Sequence, residues 1–163
     1  MPMDEESFGA FYEQTARKLR SYLRSALRDD VALADDILQE TYFRLLKADL
    51  PTGMDDVWRR NYLYRIATNL IRDHRRSHHM EPLPNEQECA TCGNSFDEAR
   101  DIRQIFDRLK PKERDLLWLA YVERFSHSEI AGMVQASTAS IRPMLARARA
   151  NFAGMLKRRG YGV

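Results

Sequence analysis

The sequence has few of the features that commit a chain to catalysis, to a membrane or to a disulfide-stabilised fold. Two cysteines in 163 residues are too few for a disulfide framework, which favours a reducing, cytoplasmic compartment. No apolar run approaches the ~20 residues that span a bilayer, and the acidic start MPMDEE does not resemble a signal peptide. Glycine-rich phosphate loops, His-Glu-x-x-His and Gly-x-Ser-x-Gly are also absent. We therefore expect no membrane insertion, no cofactor and no catalytic activity of its own.

Strand patterns are equally scarce, whereas apolar residues recur at helical spacing along most of the chain. The periodicity predicts helices over residues 7–27, 31–47 and 56–76, and helical signals resume at Phe96. Between them, residues 81–95 are rich in proline, glycine and asparagine and poor in apolar residues. We interpret the chain as all-α, with small helical domains at residues 1–80 and 96–163 joined by a flexible linker at 81–95.

The linker contains the two cysteines as a Cys-x-x-Cys pair, Cys89 and Cys92. This spacing supplies two of the four ligands of a structural zinc site, but no second pair completes it. A redox-sensitive thiol pair and an inert linker are the alternatives. We expect no metal ligand in the chain.

Residues 125–152 have the pattern of two short-coupled helices. Ser126 and Glu129 form a capping-box pair at the start of the first, and Ser137 can cap the second. Arg142 and Arg147 point away from the apolar stripe of that second helix, and no acidic residue follows Glu129. The pattern predicts a helix-turn-helix that places its second helix in the DNA major groove. A plain helical hairpin with a solvated basic face is the alternative.

Two other helices carry unusual outer faces. In the third helix, cations and an amide lie opposite the apolar stripe with aromatic rings on the flank, a combination that suits single-stranded nucleic acid. In the second helix an exposed phenylalanine lies among acidic and polar groups, which suits protein docking. A solvated face is the alternative in each case. The third-helix residues are Trp58, Tyr62, Arg65, Thr68, Asn69, Arg72 and Arg76, and the second-helix residues are Asp36, Gln39, Glu40 and Phe43.

Several segments, taken in order, resemble the extracytoplasmic-function (ECF) sigma factors of bacterial RNA polymerase, in the sigma-70 superfamily. Residues 33–42 (LADDILQETY) resemble region 2.2 of that family, and Trp58 with residues 62–74 (YLYRIATNLIRDH) resembles regions 2.3 and 2.4. Residues 109–114 (LKPKER) and 125–131 (FSHSEIA) resemble the start of region 4, and residues 137–149 its recognition helix. The resemblance covers nearly the whole chain outside the linker.

The resemblance implies a role for each face. Region 2.2 of the family docks on core RNA polymerase, which would assign Asp36, Gln39, Glu40 and Phe43. Regions 2.3 and 2.4 open the −10 promoter element and hold its single strand, so Asn69 would lie near a flipped base. Trp58, Arg65, Arg72 and Arg76 would line the path of that strand. Region 4 reads duplex DNA at the −35 element, which would assign Ser140, Arg142 and Arg147. Such proteins are usually held inactive by an anti-sigma factor, although the sequence identifies none.

The chain departs from the family pattern at several positions. Pro143 lies inside the recognition helix, where it deletes a backbone hydrogen bond and could cost about 3 kcal/mol or kink the helix. Ala136 replaces the usual glycine of the turn, so either the turn is strained or it avoids a positive φ there. Met144, Ala146 and Ala120 occupy positions that are often basic or bulky in relatives, which leaves Arg142, Arg147 and a few hydroxyls for base and phosphate contacts. Together with Pro143, these changes predict a weakened or atypical preference at the −35 element.

We interpret the chain as an ECF-type sigma factor that directs promoter-specific initiation. One alternative is a helix-turn-helix regulator that binds duplex DNA without polymerase. Another is a sigma-like thiol or zinc sensor built on Cys89 and Cys92. The promoter sequence, the regulon and the inducing signal are not encoded in any recognisable motif.

Overall fold

A computed structural model describes residues 3–78 and 95–162, with side chains described from residue 98 in the second segment. Every regular element in these segments is helical, which confirms the all-α prediction. The elements are α1 (Glu5–Ala26), α2 (Val31–Lys47), α3 (Asp56–His78), α4 (Ser95–Asp107), α5 (Pro111–Leu117), a π-helical turn (Trp118–Val122), α6 (His127–Val134) and α7 (Thr138–Arg158). The pair Cys89 and Cys92 and all of the predicted linker except Ser95 lie outside the described residues.

The first three helices enclose one core. Asp4 caps α1 by accepting a hydrogen bond from the amide of Ser7 at 2.8 Å, and Asp30 caps α2 in the same way. The apolar stripes of the three helices face one another, and burial of these apolar side chains supplies most of the stability. Fully buried members of this core include Leu19, Leu23, Ala34, Leu45 and Leu63.

The last four helices pack around the helix-turn-helix, and their buried residues continue the core of α1 to α3 as one hydrophobic cluster. We call α1 to α3 the first helical unit and α4 to α7 the second. Pro111 occupies the start of α5, where its missing amide hydrogen costs no hydrogen bond. The predicted capping box opens α6, because the Glu129 amide donates to Ser126 Oγ at 3.1 Å and the glutamate side chain accepts from the Ser126 amide. Ile130 of α6 and Ile141 of α7 are both fully buried and fix how the two helices pack.

The apolar periodicity of the sequence also predicts buried positions for Tyr12, Ile102 and Val122, and all three side chains are exposed instead. Val122 lies at the end of the π-helical turn and is 56% exposed, because the wider turn rotates the chain out of the register of an α-helix. Tyr12 lies at the rim of the core, where one side of its ring packs against Tyr42 and the other side faces solvent. It is therefore 37% exposed. The stripe prediction was therefore wrong at these positions.

The buried phenol of Tyr42 should make the stability of the folded protein depend on pH above pH 10. Tyr42 is 4% exposed and shares a 2.6 Å hydrogen bond with Thr15, and burial raises its pKa to about 12 from an ordinary value of 10.0. Below pH 10 both the folded and unfolded chains keep this proton. Above it the unfolded chain ionises first, so the folded state loses stability until the pH passes 12.

We expect Tyr42→Phe to remove this dependence. The free energy of unfolding of the wild type, minus that of the variant, should fall by about 1.4 kcal/mol per pH unit above pH 10. Urea unfolding of both proteins from neutral pH to about pH 11 measures it. The other tyrosines are common to both proteins and cancel in the difference. A difference that stays constant across that range would contradict the raised pKa.

Candidate docking and nucleic-acid surfaces

The predicted docking face lies on the side of α2 turned away from the core. Asp36 and Gln39 are exposed, and the ring of Phe43 is 50% exposed with the Lys47 ammonium 4.2 Å from its centre. Glu40 accepts a 2.7 Å hydrogen bond from Arg44, so one of the acids is already partly neutralised. The arrangement gives an acidic rim around an aromatic centre, which suits a basic partner surface with an apolar pocket. We call Asp36, Gln39, Glu40 and Phe43 the docking face.

The predicted nucleic-acid face of α3 begins with two aromatic rings. Asp55 accepts from the Trp58 amide at 2.8 Å and so starts the helix. One turn on, Tyr62 stacks on the Trp58 indole with ring centres 5.4 Å apart and planes 7° apart. Both rings are partly exposed, which leaves a platform on which a base can stack. We call Trp58, Arg65, Asn69, Arg72 and Arg76 the strand face.

The centre of the strand face contacts the carboxyl end of α6. Arg65 Nε donates to the Gly132 carbonyl at 3.3 Å, and an Arg72 amino group donates to the Met133 carbonyl at 3.1 Å. Thr68 lies between them, only 6% exposed, and donates to the same Met133 oxygen at 3.0 Å. The sequence placed Thr68 on a free outer face, and the structure instead buries it.

Asn69 is held by hydrogen bonds within this contact. Its side-chain oxygen accepts from Arg72 at 2.9 Å and from Gln135 Nε2 at 3.4 Å. Arg76, two turns closer to the end of α3, remains exposed. The strand face is therefore partly covered in this conformation, with its aromatic end and Arg76 open.

In the turn of the helix-turn-helix, the residue with a left-handed backbone is at position 135 and not at position 136, where the family usually has glycine. Gln135, at the end of α6, has φ 56° and ψ 49°, and Ala136 follows it outside that region. The glycine missing at position 136 therefore causes no strain, because the positive φ falls one residue earlier. Asparagine and glycine tolerate this conformation best, so Gln135 itself carries a small cost.

Helix α7 presents its predicted base-reading residues to solvent. Arg142 and Arg147 are exposed, and neither has an ion-pair or hydrogen-bond partner within residues 3–78 and 98–162. Ser140 is half-buried and shares a 2.5 Å hydrogen bond with Ser137, whose hydroxyl therefore makes no capping bond to the backbone. The helix continues without interruption past Pro143, which is itself exposed.

Two ion pairs with buried carboxylates join the two helical units beside the strand face. Arg60 of α3 donates to Glu123 at 2.7 Å, and its guanidinium lies 4.3 Å from the centre of the Phe125 ring. The Glu123 side chain is only 1% exposed and also accepts from the Trp118 indole at 3.3 Å. The Tyr64 ring packs edge-on against the Phe125 ring, with ring centres 5.0 Å apart. An apolar contact therefore lies beside the Arg60–Glu123 ion pair.

The second pair lies at the other end of the contact. Arg75 donates to both carboxylate oxygens of Asp115, at 2.6 and 3.3 Å, with side chains 17% and 12% exposed. Arg75 and the fully buried Arg114 both donate to the carbonyl of Ala26 at the end of α1. We call the pairs Arg60–Glu123 and Arg75–Asp115 the closing ion pairs.

Sequence reasoning missed the closing ion pairs. Each joins residues at least 40 positions apart, so no local spacing marks it. The one available signal is the width of the buried arc on α3, where Tyr64 and Thr68 are buried beside the apolar stripe of Leu63, Ala67 and Ile71. A helix buried over so wide an arc packs against more than one neighbour.

Comparison with known protein families accounts for both units. The Sigma-70 region 2 family matches residues 11–80, and the Sigma-70, region 4 family matches residues 99–152. The two matches lie in the order of the predicted faces and together cover most of the chain. The chain belongs to the sigma-70 family. It is an RNA polymerase sigma factor of the ECF type.

Individual sigma factors match along most of this chain. The probable RNA polymerase sigma factor RfaY of Xanthomonas campestris is 29% identical over 151 residues, which are 82% of this chain but 36% of the length of RfaY. The ECF sigma factor SigK of Mycolicibacterium vanbaalenii is 23% identical, covering 85% of this chain and 76% of its own length. The RNA polymerase sigma factor NccH of Alcaligenes xylosoxydans is 27% identical, and the match covers 94% of this chain and 89% of NccH.

Two solved structures have the same fold as this sigma factor. Bartonella quintana RpoE in complex with the anti-sigma factor NepR superposes with a TM-score of 0.65 at 17% identity, covering 93% of this chain and 98% of that one. CnrH in complex with the cytosolic domain of CnrY superposes with a TM-score of 0.67 at 21% identity. The superposition covers 95% of this chain and 90% of CnrH. Both comparisons support the helical architecture described above.

Within residues 3–78 and 95–162 of this sigma factor, no helix is long and apolar enough to cross a membrane. Within the same residues, no three His, Cys, Asp or Glu side chains are grouped so that they could hold a metal ion.

Proposed function

We propose that this sigma factor binds core RNA polymerase through the docking face, holds the opened −10 strand on the strand face and reads the −35 duplex with α7. The observation that carries the proposal is the placement of three chemically different surfaces on the two family-matched units. In this role the protein is a specificity subunit that catalyses nothing alone. It acts in the cytoplasm, where bacterial polymerase and DNA are.

The docking face supports the first step through charge and shape. Asp36 and Gln39 project from α2 on either side of a helical turn, and Phe43 continues the same face. A basic polymerase surface would be steered to the carboxylates, and the ring would be buried at the centre. Beside Gln39 a groove between α1 and α2 adds contact area, lined by Tyr12, Arg20, Arg24, Val31, Asp35, Leu38 and Gln39.

The strand face supports the second step. The Trp58–Tyr62 platform can stack a base that has left the duplex, and the arginines of α3 can bind the phosphates on either side of it. Asn69 carries both a donor and an acceptor for a base edge. Stacking and hydrogen bonding to unpaired bases offset the cost of opening the −10 element, because these contacts are unavailable in the paired duplex.

Helix α7 supports the third step. Arginine makes the commonest specific contact with guanine in the major groove, and the guanidinium groups of Arg142 and Arg147 are both open to solvent. Pro143 and Ala146 occupy the same exposed side and offer no hydrogen-bonding side chain. We therefore propose a −35 contact limited to two arginines and the hydroxyl of Ser140, with correspondingly weak base discrimination.

An anti-sigma factor is the remaining partner that we propose. Of the two solved structures named above, RpoE is a sigma factor bound to the anti-sigma factor NepR, and CnrH is bound to the cytosolic domain of CnrY. Their similarity to this chain supports a regulator of the same general kind here.

Alanine at Arg142 or Arg147 should weaken binding of the polymerase holoenzyme to a duplex promoter by about tenfold each, since one lost base contact costs about 1–3 kcal/mol. Arg158→Ala is the matched control, because Arg158 is an exposed arginine near the far end of the same helix. Fluorescence anisotropy with a labelled promoter duplex measures the effect. If Arg158→Ala weakens binding as much as Arg142→Ala does, then α7 contributes only nonspecific charge.

A further inference from the structure

The carboxyl end of α3 carries a pair of histidines that none of the proposed surfaces uses. His74 and His78 are four residues apart, and their rings are nearly parallel, with centres 4.2 Å apart and planes 19° apart. We propose that this pair binds one divalent transition-metal ion of the class that prefers imidazole, namely Zn²⁺, Ni²⁺ or Cu²⁺. The proposal is independent of the proposed function, since neither histidine belongs to the docking face, to the strand face or to the base-reading residues of α7.

Helical spacing brings the two imidazoles together. Residues four apart lie on one face of an α-helix, and two histidines at this spacing are a common way for one helix to supply two ligands to a metal ion. A metal–imidazole bond is about 2.0–2.1 Å long, so two nitrogens bound to one ion lie about 3 Å apart. Rings with centres 4.2 Å apart can reach that separation through small rotations about their side-chain bonds.

A hydrogen bond determines which nitrogen His78 offers to an ion. The Nδ1 atom of His78 lies 3.1 Å from the backbone carbonyl of His74, to which it can only donate. A proton on Nδ1 leaves the Nε2 atom of the same ring with a free lone pair. Histidines that bind metal usually place their other N–H on a carbonyl or carboxylate in this way, which fixes the ring and its tautomer.

The charges around the pair favour a neutral imidazole and tolerate an added cation. Partial burial and the neighbouring His78 lower the pKa of His74 from its ordinary value of 6.5, and the neutral ring is the form that binds metal. Arg75 also lowers this pKa and would repel a metal ion, but its charge is offset by two hydrogen bonds to Asp115. Asp30, at the amino end of α2, favours positive charge at His74.

Two protein ligands leave the other coordination positions of the ion to water. Within residues 3–78 and 98–162, no third His, Cys, Asp or Glu side chain completes a group of three with this pair. We therefore expect micromolar affinity and ready exchange of the ion, in contrast to a closed structural site with four protein ligands. Two histidines one turn apart lack the four-ligand pattern by which zinc sites are recognised in a sequence, so the sequence predicted no metal ligand here.

Metal binding should stabilise the end of α3. The two imidazoles lie one turn apart only while that turn is helical, so an ion bound to both favours the helix over a frayed chain. The same part of α3 carries Arg75, which donates to Asp115 and to the Ala26 carbonyl. The ion would therefore help to hold in place the helix end that contacts both α1 and α5.

Isothermal titration calorimetry of the full chain, purified without a histidine tag, measures the binding of Ni²⁺ and of Zn²⁺. A Cys89→Ser and Cys92→Ser background removes the thiol pair as a competing ligand. His74→Ala and His78→Ala each remove one proposed ligand. The matched control is His127→Ala, which removes an exposed histidine from α6.

We expect one ion per chain and an affinity at least about tenfold lower in His74→Ala and in His78→Ala, because even loss of a residue that only orients a ligand has about this effect. His127→Ala should bind as the parent protein does, and so should His79→Ala, at the position that follows the pair. Mg²⁺, which prefers oxygen ligands, should not bind. Affinity that survives loss of both His74 and His78, or that falls as far in His79→Ala as in His78→Ala, would overturn the proposal.

Hydrogen exchange gives a second readout that does not depend on the measured affinity. Mass spectrometry with and without saturating Zn²⁺ should show slower amide exchange in the last turn of α3 of the parent protein, and no slowing in His78→Ala. The His78 side chain is exposed, so its replacement should leave the core intact and the variant folded. Binding of Zn²⁺ without slower exchange would mean that the ion does not bridge the two histidines, and the two-histidine site would be wrong.

Discussion

Replacing Asp36 and Glu40 with lysine should weaken binding to core RNA polymerase by at least about 100-fold and so abolish promoter-dependent transcription. Both side chains lie on the outer face of α2, away from the core formed by Ala34, Leu38 and Leu45. Reversal would turn an attraction into a repulsion at the rim of the docking face and leave the buried core intact. Within the protein it loses the exposed Glu40–Arg44 ion pair, which costs only a few tenths of a kcal/mol. Mass photometry of mixtures with core polymerase measures the binding.

The control for this reversal is Glu13→Lys with Glu98→Lys, which produces the same change in net charge at exposed positions on other helices. It should bind core polymerase as the wild type does. Binding of the reversed protein to duplex DNA through α7 should not weaken. If the reversed protein still forms the holoenzyme, α2 is not the docking face and a regulator that acts without polymerase becomes the better account.

Asn69→Ala should slow promoter opening by about 10- to 100-fold, since one base-reading side chain contributes about 1–3 kcal/mol. The amide offers a donor and an acceptor that alanine lacks, while the apolar side of α3 stays intact. Core binding and −35 binding should be unchanged, because neither surface includes Asn69. Permanganate reactivity of unpaired thymines in the −10 element measures the opening.

Two comparisons identify the step that Asn69→Ala affects. A template with a pre-melted −10 bubble should recover part of the activity, because the cost of unpairing has been removed from the reaction. Gln14→Ala, which removes an exposed amide from α1, should open promoters at the wild-type rate. Equal defects in Asn69→Ala and Gln14→Ala would mean that Asn69 reads no base.

The helices could be predicted because their signals are local. The bounds of α2 were predicted at both ends, since Asp30 caps one end and apolar residues repeat as far as Leu45. The predictions missed the first two residues of α1 and the last two of α3, and extended α1 one residue too far. The π-helical turn was not foreseen. A π-turn inserts one residue without any composition signal, so the exposure of Val122 could not be read from periodicity.

The chemical character of each surface could be predicted, but its accessibility could not. Arg65 and Asn69 share a face of α3, as helical geometry requires, and whether another helix covers them depends on contacts between distant residues. Arg60 and Glu123 are 63 positions apart and meet only because the second unit packs on α3. The assignment of functional roles to individual residues stays a prediction until the variants above are measured.

The most direct test of the account combines the purified sigma factor with core polymerase from the source bacterium and measures run-off transcription from that bacterium's own DNA. We predict a one-to-one complex and transcripts that start at discrete promoters and are absent with core polymerase alone. A folded protein that fails to bind core polymerase, or binds it without producing specific transcripts, would contradict the account.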